Sequence, residues 1–186
     1  MKLFYTFILF LLVALGCNNT FAQGREIKKT FNASTSSVGV GDSCFIPCEY
    51  VDYHWYGFRR TFETDSTCDS ICAFLKANPT VCIAIINHTD YRPISMGNDV
   101  LTMYRANDLK NYIVEHGDID TNRIIAIGMA DRQPRIVTEE IHKEYNFLPL
   151  GQVLDMEFCK TLFSNRKNYE IAMGLNRRNV VKIIAK

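Results

Sequence analysis

Two opposite charges stand in the segment NHTDYRPISMGNDVLTMYRA, residues 87–106, and together they could hold a zwitterion. Asp90 offers a carboxylate to an ammonium group, and the planar fork of Arg105 offers parallel donors to a carboxylate. Leu101, Arg105, Leu109 and Ile113 recur every fourth residue, so one helix face carries all four and the guanidinium points where apolar neighbours point. A charge against a core is costly unless a carboxylate or several acceptors meet it. Asp90, on the loop that leaves an apolar strand, is the nearest candidate in sequence. Spacing alone leaves two readings open: a structural ion pair that neutralises itself, or a small cleft with both charges on its rim, suited to an amino acid head group.

The elements that must position these residues are legible around them. TVCIAII, residues 80–86, is apolar on both faces, as suits a central strand covered by helices. Asn98 is placed to cap the following helix, with Asp99 favoured by the helix dipole, and Gly117 reads as its stop. The capping role of Asn98 is compatible with a ligand contact. NRIIAIG, residues 122–128, predicts a second central strand. Ser66 with Asp69 predicts a capping box, opening a helix whose Cys68, Ile71, Cys72 and Leu75 face inward before Pro79. A first strand is expected within residues 48–56, and a last one over 180–184. Residues 137–174 are expected to hold two helices, around 138–145 and 157–163, with 147–154 an apolar-anchored loop between them. Helices alternating with apolar strands indicate an α/β sandwich.

Four motifs then fall in one order: HTD at 88–90; Asn98, Leu101, Thr102, Arg105 and Ala106 as N-x-x-L-T-x-x-R-A; Gly128, Asp131 and Pro134 in GMADRQPRI; and Asn176, Arg177 and Arg178 before the last strand. This pattern, over residues 69–185 with one insertion, resembles the OmpA-like C-terminal domain family. The resemblance implies a two-layer sandwich, a four-stranded sheet in β-α-β-α-β-β order with extra helices before the last strand. It implies a non-enzymatic module that binds peptidoglycan, with Asp90 and Arg105 gripping the diaminopimelate of the stem peptide. Thr89 and Asn98 join that ligand-binding set, with Arg178 preferred over Arg177 to close over the ligand carboxylate or brace the Asp90 loop. No cofactor and no metal are implied. The sequence departs from the family at Asn87 and Pro93, where glycines are common, at Ala130 in place of a second glycine, and at Asn179 in place of valine. Tyr50, Asp52 and Tyr53 only loosely match the family's aromatic and acidic strand end, and no contact is carried onto them.

Residues 1–22 read as an export signal, residues 23–42 as a flexible lead, and residues 43–186 as the domain. Cleavage is expected after Ala22. A competing cut before Cys17 would leave a lipid anchor there, the one membrane attachment the sequence offers. The formal charge of +1 and the lack of a long basic run argue against nucleic acid. Cys44, Cys48, Cys68 and Cys72, with His54, could form a zinc cluster, but their spacing favours core packing or disulfides. A hydrolase or thiol enzyme using His54, His88 or a cysteine lacks a nucleophile beside a base in a recognised motif. The expected setting is the periplasm, associated with the outer membrane, with the stem peptide and envelope proteins as partners. The alternative is an envelope scaffold that recognises a protein through its insertion and aromatic segment.

Overall fold

The computed structural model of the chain describes residues 30–46 and 62–186. The expected export signal, the strand expected within 48–56, and Cys48 and His54 lie outside the described residues.

In chain order the elements are β1 (Ser43–Ile46), α1 (Phe62–Ala77), β2 (Cys82–His88), α2 (Asn98–Gly117), a 3-10 turn (Thr121–Arg123), β3 (Ile124–Ala130), α3 (Glu139–Glu144), α4 (Met156–Thr161), α5 (Arg166–Asn176) and β4 (Arg178–Ala185). The sheet runs β1-β4-β2-β3, with β2 and β3 parallel and both pairings of β4 antiparallel. This is the expected α/β sandwich, with a four-stranded sheet and helices inserted before the last strand.

Alternation along the strands places Cys44, Ile46, Ile83, Ile85, Val181 and Ile183 in one buried cluster. Onto it pack Cys68, Ile71, Cys72, Phe74 and Leu75 from α1, and Ala106, Leu109, Tyr112 and Ile113 from α2. α1 begins at Phe62, so Ser66 and Asp69 lie inside the helix rather than at its cap, and the Ser70 hydroxyl donates to the Ser66 carbonyl. Its apolar face nonetheless falls where the spacing put it. The far end of α1 is tied down by Arg123, whose guanidinium donates to the carbonyls of Leu75, Asn78 and Val81 at 2.7–3.0 Å.

Gly117 ends α2, but the left-handed residue that turns the chain is Asp118 (φ 49°), which donates its N–H to Val114. The need for glycine at 117 is one of space: a Cβ there would lie 2.6 Å from Cys72 Sγ.

Two expectations are corrected. Residues 30–42 are not a free lead: Phe31 is fully buried and stacks on Phe74 with ring centroids 5.0 Å apart, and Val38 is buried in the same core. The insertion holds three helices, not two. α5 escaped notice because polar residues open it and Gly174 interrupts it, although Tyr169, Ala172 and Met173 keep helical spacing and Asn165 caps it through Asn168 N. The insertion has its own small core of Val137, Ile141, Leu148, Leu154, Cys159, Tyr169, Ala172 and Met173.

Phe31→Ala is expected to cost about 3–5 kcal/mol, as for other buried Phe truncations. Urea unfolding of the mature chain would show it as a lowered midpoint, whereas a substitution in a free lead would leave the midpoint unmoved.

Candidate functional site

The site forms where β2 ends. The pairing of β2 with β3 shifts register between Asn87 and His88, and Thr89 N donates to Ala130 O at 2.9 Å, so the loop carrying Asp90 starts from a fixed point. Ala130 itself has φ 48°, the left-handed backbone that favours glycine. An alanine holds this conformation at a cost of about 1–2 kcal/mol. Gly128 lets α2 approach β3: a Cβ there would lie 2.6 Å from Met103 N and 2.7 Å from Thr102 Oγ1. Thr102 accepts from Ala130 N at 3.2 Å and donates to the Asn98 carbonyl at 2.8 Å, locking the helix start to the strand end.

Asp90 is buried, and its carboxylate is gripped from two sides. Oδ1 accepts from Arg92 N (3.0 Å) and Arg92 Nε (3.1 Å), and Oδ2 accepts from Arg92 Nη2 and Arg177 Nη1, both at 2.6 Å. Burial pushes its pKa up, but the hydrogen bonds from Arg92 and Arg177 outweigh that and hold the carboxyl below its ordinary value. Arg92 Nη1 reaches on to Glu170 of α5 at 3.0 and 3.2 Å. The Tyr91 and Tyr169 hydroxyls meet at 3.2 Å. Loop and insertion are thus one unit.

The sequence offered the Asp90 carboxylate to Arg105, and the structure gives it to Arg92 and Arg177. Arg105 is 6% exposed and lies on the inward face of α2 with Leu101, Leu109 and Ile113. Asn98 is the first helical residue and not the cap. Gly97 (φ 82°) holds the cap position without a side-chain bond, and the Asn98 amide instead donates to the carbonyls of Asp90 (3.3 Å) and Arg92 (3.1 Å). Asn98 thereby braces the acidic loop across its mouth. Thr89 Oγ1 and Asn98 Oδ1 are buried with no hydrogen-bond partner among the described residues.

Of the two adjacent arginines, Arg177 braces the Asp90 loop, while Arg178 donates to the carbonyls of Asn176 (3.1 Å) and Gln133 (2.9 Å). Side chains alternate as the chain enters β4, so only one of the pair can face Asp90. The sequence reading prefers Arg178 for bracing the Asp90 loop, and the structure gives that contact to Arg177. Glu170 and Arg92 were missed as site residues. The usable signal for Arg92 was its place two residues beyond Asp90, within reach of a local turn.

Two of the departures meet. Asn87 and Asn179 are opposite each other in the β2–β4 ladder, both buried, and Asn87 Nδ2 donates to Asn179 Oδ1. One polar substitution in the sheet is answered by the other.

Burial pushes the thiols of Cys44 and Cys159 up to about 11, so neither supplies a thiolate at neutral pH. Cys68 and Cys72 lie in the core. Among the described residues no cluster of three or more His, Cys, Asp or Glu side chains could hold a metal. His88 is buried, and burial together with the charges of Arg178, Arg135 and Arg132 pushes it down to about 3, which keeps it neutral.

Fold and loop define an α/β sandwich with a charged rim at the carboxyl end of its central strands. Residues 61–146 match the OmpA family model. Similar solved structures include a MotB-like protein from Desulfovibrio vulgaris (14% identity, TM-score 0.46, 68% of this chain and 64% of that one). Others are the peptidoglycan-associated lipoprotein from Burkholderia pseudomallei (15%, 0.46, 74% and 87%) and the OmpA-like domain of FopA1 from Francisella tularensis subsp. tularensis SCHU S4 (11%, 0.43, 88% and 97%). The chain thus spans under two thirds of the MotB-like protein. The comparison with curated proteins gave no match.

Unfolded His88 takes a proton near its ordinary 6.5 and the folded chain refuses it until about 3, so stability should fall as pH drops through that window, by about 1.4 kcal/mol per unit. His88→Gln should flatten the profile from pH ~6.5 to ~4.5 in urea melts, leaving the Asp90 loss below pH ~4. In a double-mutant cycle, Asn87→Val and Asn179→Val should couple by on the order of 1 kcal/mol, and simple additivity would dissolve the pair.

Proposed function

We propose that the protein is a non-enzymatic module that binds peptidoglycan through the diaminopimelate group of the stem peptide. Asp90 would receive the ligand ammonium and Arg105 its carboxylate, with Thr89 and Asn98 supplying hydrogen bonds. The observation that carries this reading is the pair of buried atoms Thr89 Oγ1 and Asn98 Oδ1, which flank Asp90 with no hydrogen-bond partner among the described residues. Buried polar groups are ordinarily satisfied, so orphans beside a charged group favour a bound guest. The OmpA family match covers Thr89, Asp90, Asn98 and Arg105. In this reading the chain is exported to the periplasm and links the outer membrane or its complexes to the wall.

The second reading is an envelope scaffold that docks a protein partner. It is favoured by the exposed apolar side chains around the insertion, Ile136, Leu150, Met156 and Phe163.

Calorimetry of the mature chain with diaminopimelate-containing stem peptide should show binding that Asp90→Ala and Arg105→Ala each weaken at least ~10-fold, the loss of one charge-assisted contact. Unchanged affinity in both variants would remove those roles. Retention on isolated sacculi, competed by free diaminopimelate, separates wall binding from the scaffold, which would not be retained.

A further inference from the structure

The Asp90 carboxylate does not stand open. Arg92 takes both of its oxygens, through Nε at 3.1 Å and Nη2 at 2.6 Å, and its backbone N–H adds a third bond at 3.0 Å. These are the donors that a ligand ammonium would have to replace. Arg92 differs from Arg177, the other cation on Asp90, in having somewhere else to go: its Nη1 already lies on Glu170, at 3.0 Å from Oε1 and 3.2 Å from Oε2. Glu170 is the more exposed end of this chain of charges, its side chain 41% accessible against 7% for Asp90, and Arg92 sits between them at 20%. The Arg92 guanidinium also lies over the Tyr169 ring, 5.9 Å from its centroid, which gives it a seat on α5 that does not depend on Asp90. Charge is conserved if Arg92 lets go. The ammonium replaces it on Asp90, and Arg92 keeps Glu170, so no buried charge is left alone.

We propose that Arg92 is a built-in competitor for the ammonium of the ligand at Asp90, and that Glu170 on the inserted helix α5 sets how readily it yields. This rests on the diaminopimelate reading above and adds to it a role for the insertion. A site whose competent form is populated a fraction of the time binds with its affinity reduced by that fraction. With Arg92 on Asp90 nine-tenths of the time, apparent affinity would be about tenfold below that of the open site.

The test is calorimetric titration of the mature chain with free diaminopimelate. Arg92→Met, which keeps the stem and removes the donors, should bind about tenfold tighter than wild type. Glu170→Gln, which takes away the alternative seat, should bind several-fold weaker, and that loss should vanish in the Arg92→Met background. A merely structural Arg92 would give weaker binding in Arg92→Met and no such dependence between the two changes. Thermal melts of all variants establish that they fold, and Glu170→Gln alone still decides the matter if Arg92→Met does not. Binding by wild type that Arg92→Met leaves equal or weaker overturns the competitor while the wall reading stands. Absence of binding in wild type and every variant overturns both.

Discussion

A carboxylate at 5% exposure is untenable without cations, and Asp90 has two, drawn from separate parts of the chain. Arg92 comes from its own loop. Arg177 comes from the junction of α5 and β4, after the whole insertion has been traversed. Satisfying one acid therefore fastens the exit of the central strand to the start of the last strand. Leaving that acid unpaired would strand a buried charge where loop and insertion meet.

The insertion accordingly acts as a buttress. Its small core receives Tyr91 from the acidic loop, and Asn176 stitches it together by donating to the Leu154 carbonyl and accepting from Arg135 N, each at 2.7 Å. Three helices that lie outside the sheet's own core thus reach the rim through a tyrosine pair, an asparagine and a charge network. Each link is a buried or half-buried polar contact, the kind that fixes orientation more than it adds stability.

The departures from the family pattern share a logic. Asn87 and Asn179 are tolerable because each answers the other across the ladder, and Ala130 because its neighbours over-determine a backbone that alanine disfavours. Polarity and strain are concentrated at the strand ends beside Asp90, while the sheet beneath, from Ile83 to Ile85 and from Val181 to Ile183, is plain apolar packing. The result is a firm apolar floor beneath a constrained polar rim.

The two central strands and the helix with Arg105 on its inward face could be read from the chain alone, because alternation and fourfold spacing are local properties of the backbone, whereas the order of the sandwich came only from the family resemblance. The place of Asp90 on the loop that leaves the central strand could be read as well. The partners of Asp90 could not. Choosing Arg92 and Arg177 over Arg105, or Arg177 over its neighbour Arg178, depends on where distant segments arrive and which way an extended residue points. Nor could the sequence show that Phe31 enters the core or that α5 carries Glu170 to the rim, since one aromatic in a polar stretch and one acid on a polar helix give no periodic signal. Pairing between charges is decided by proximity in space, and proximity is what folding creates.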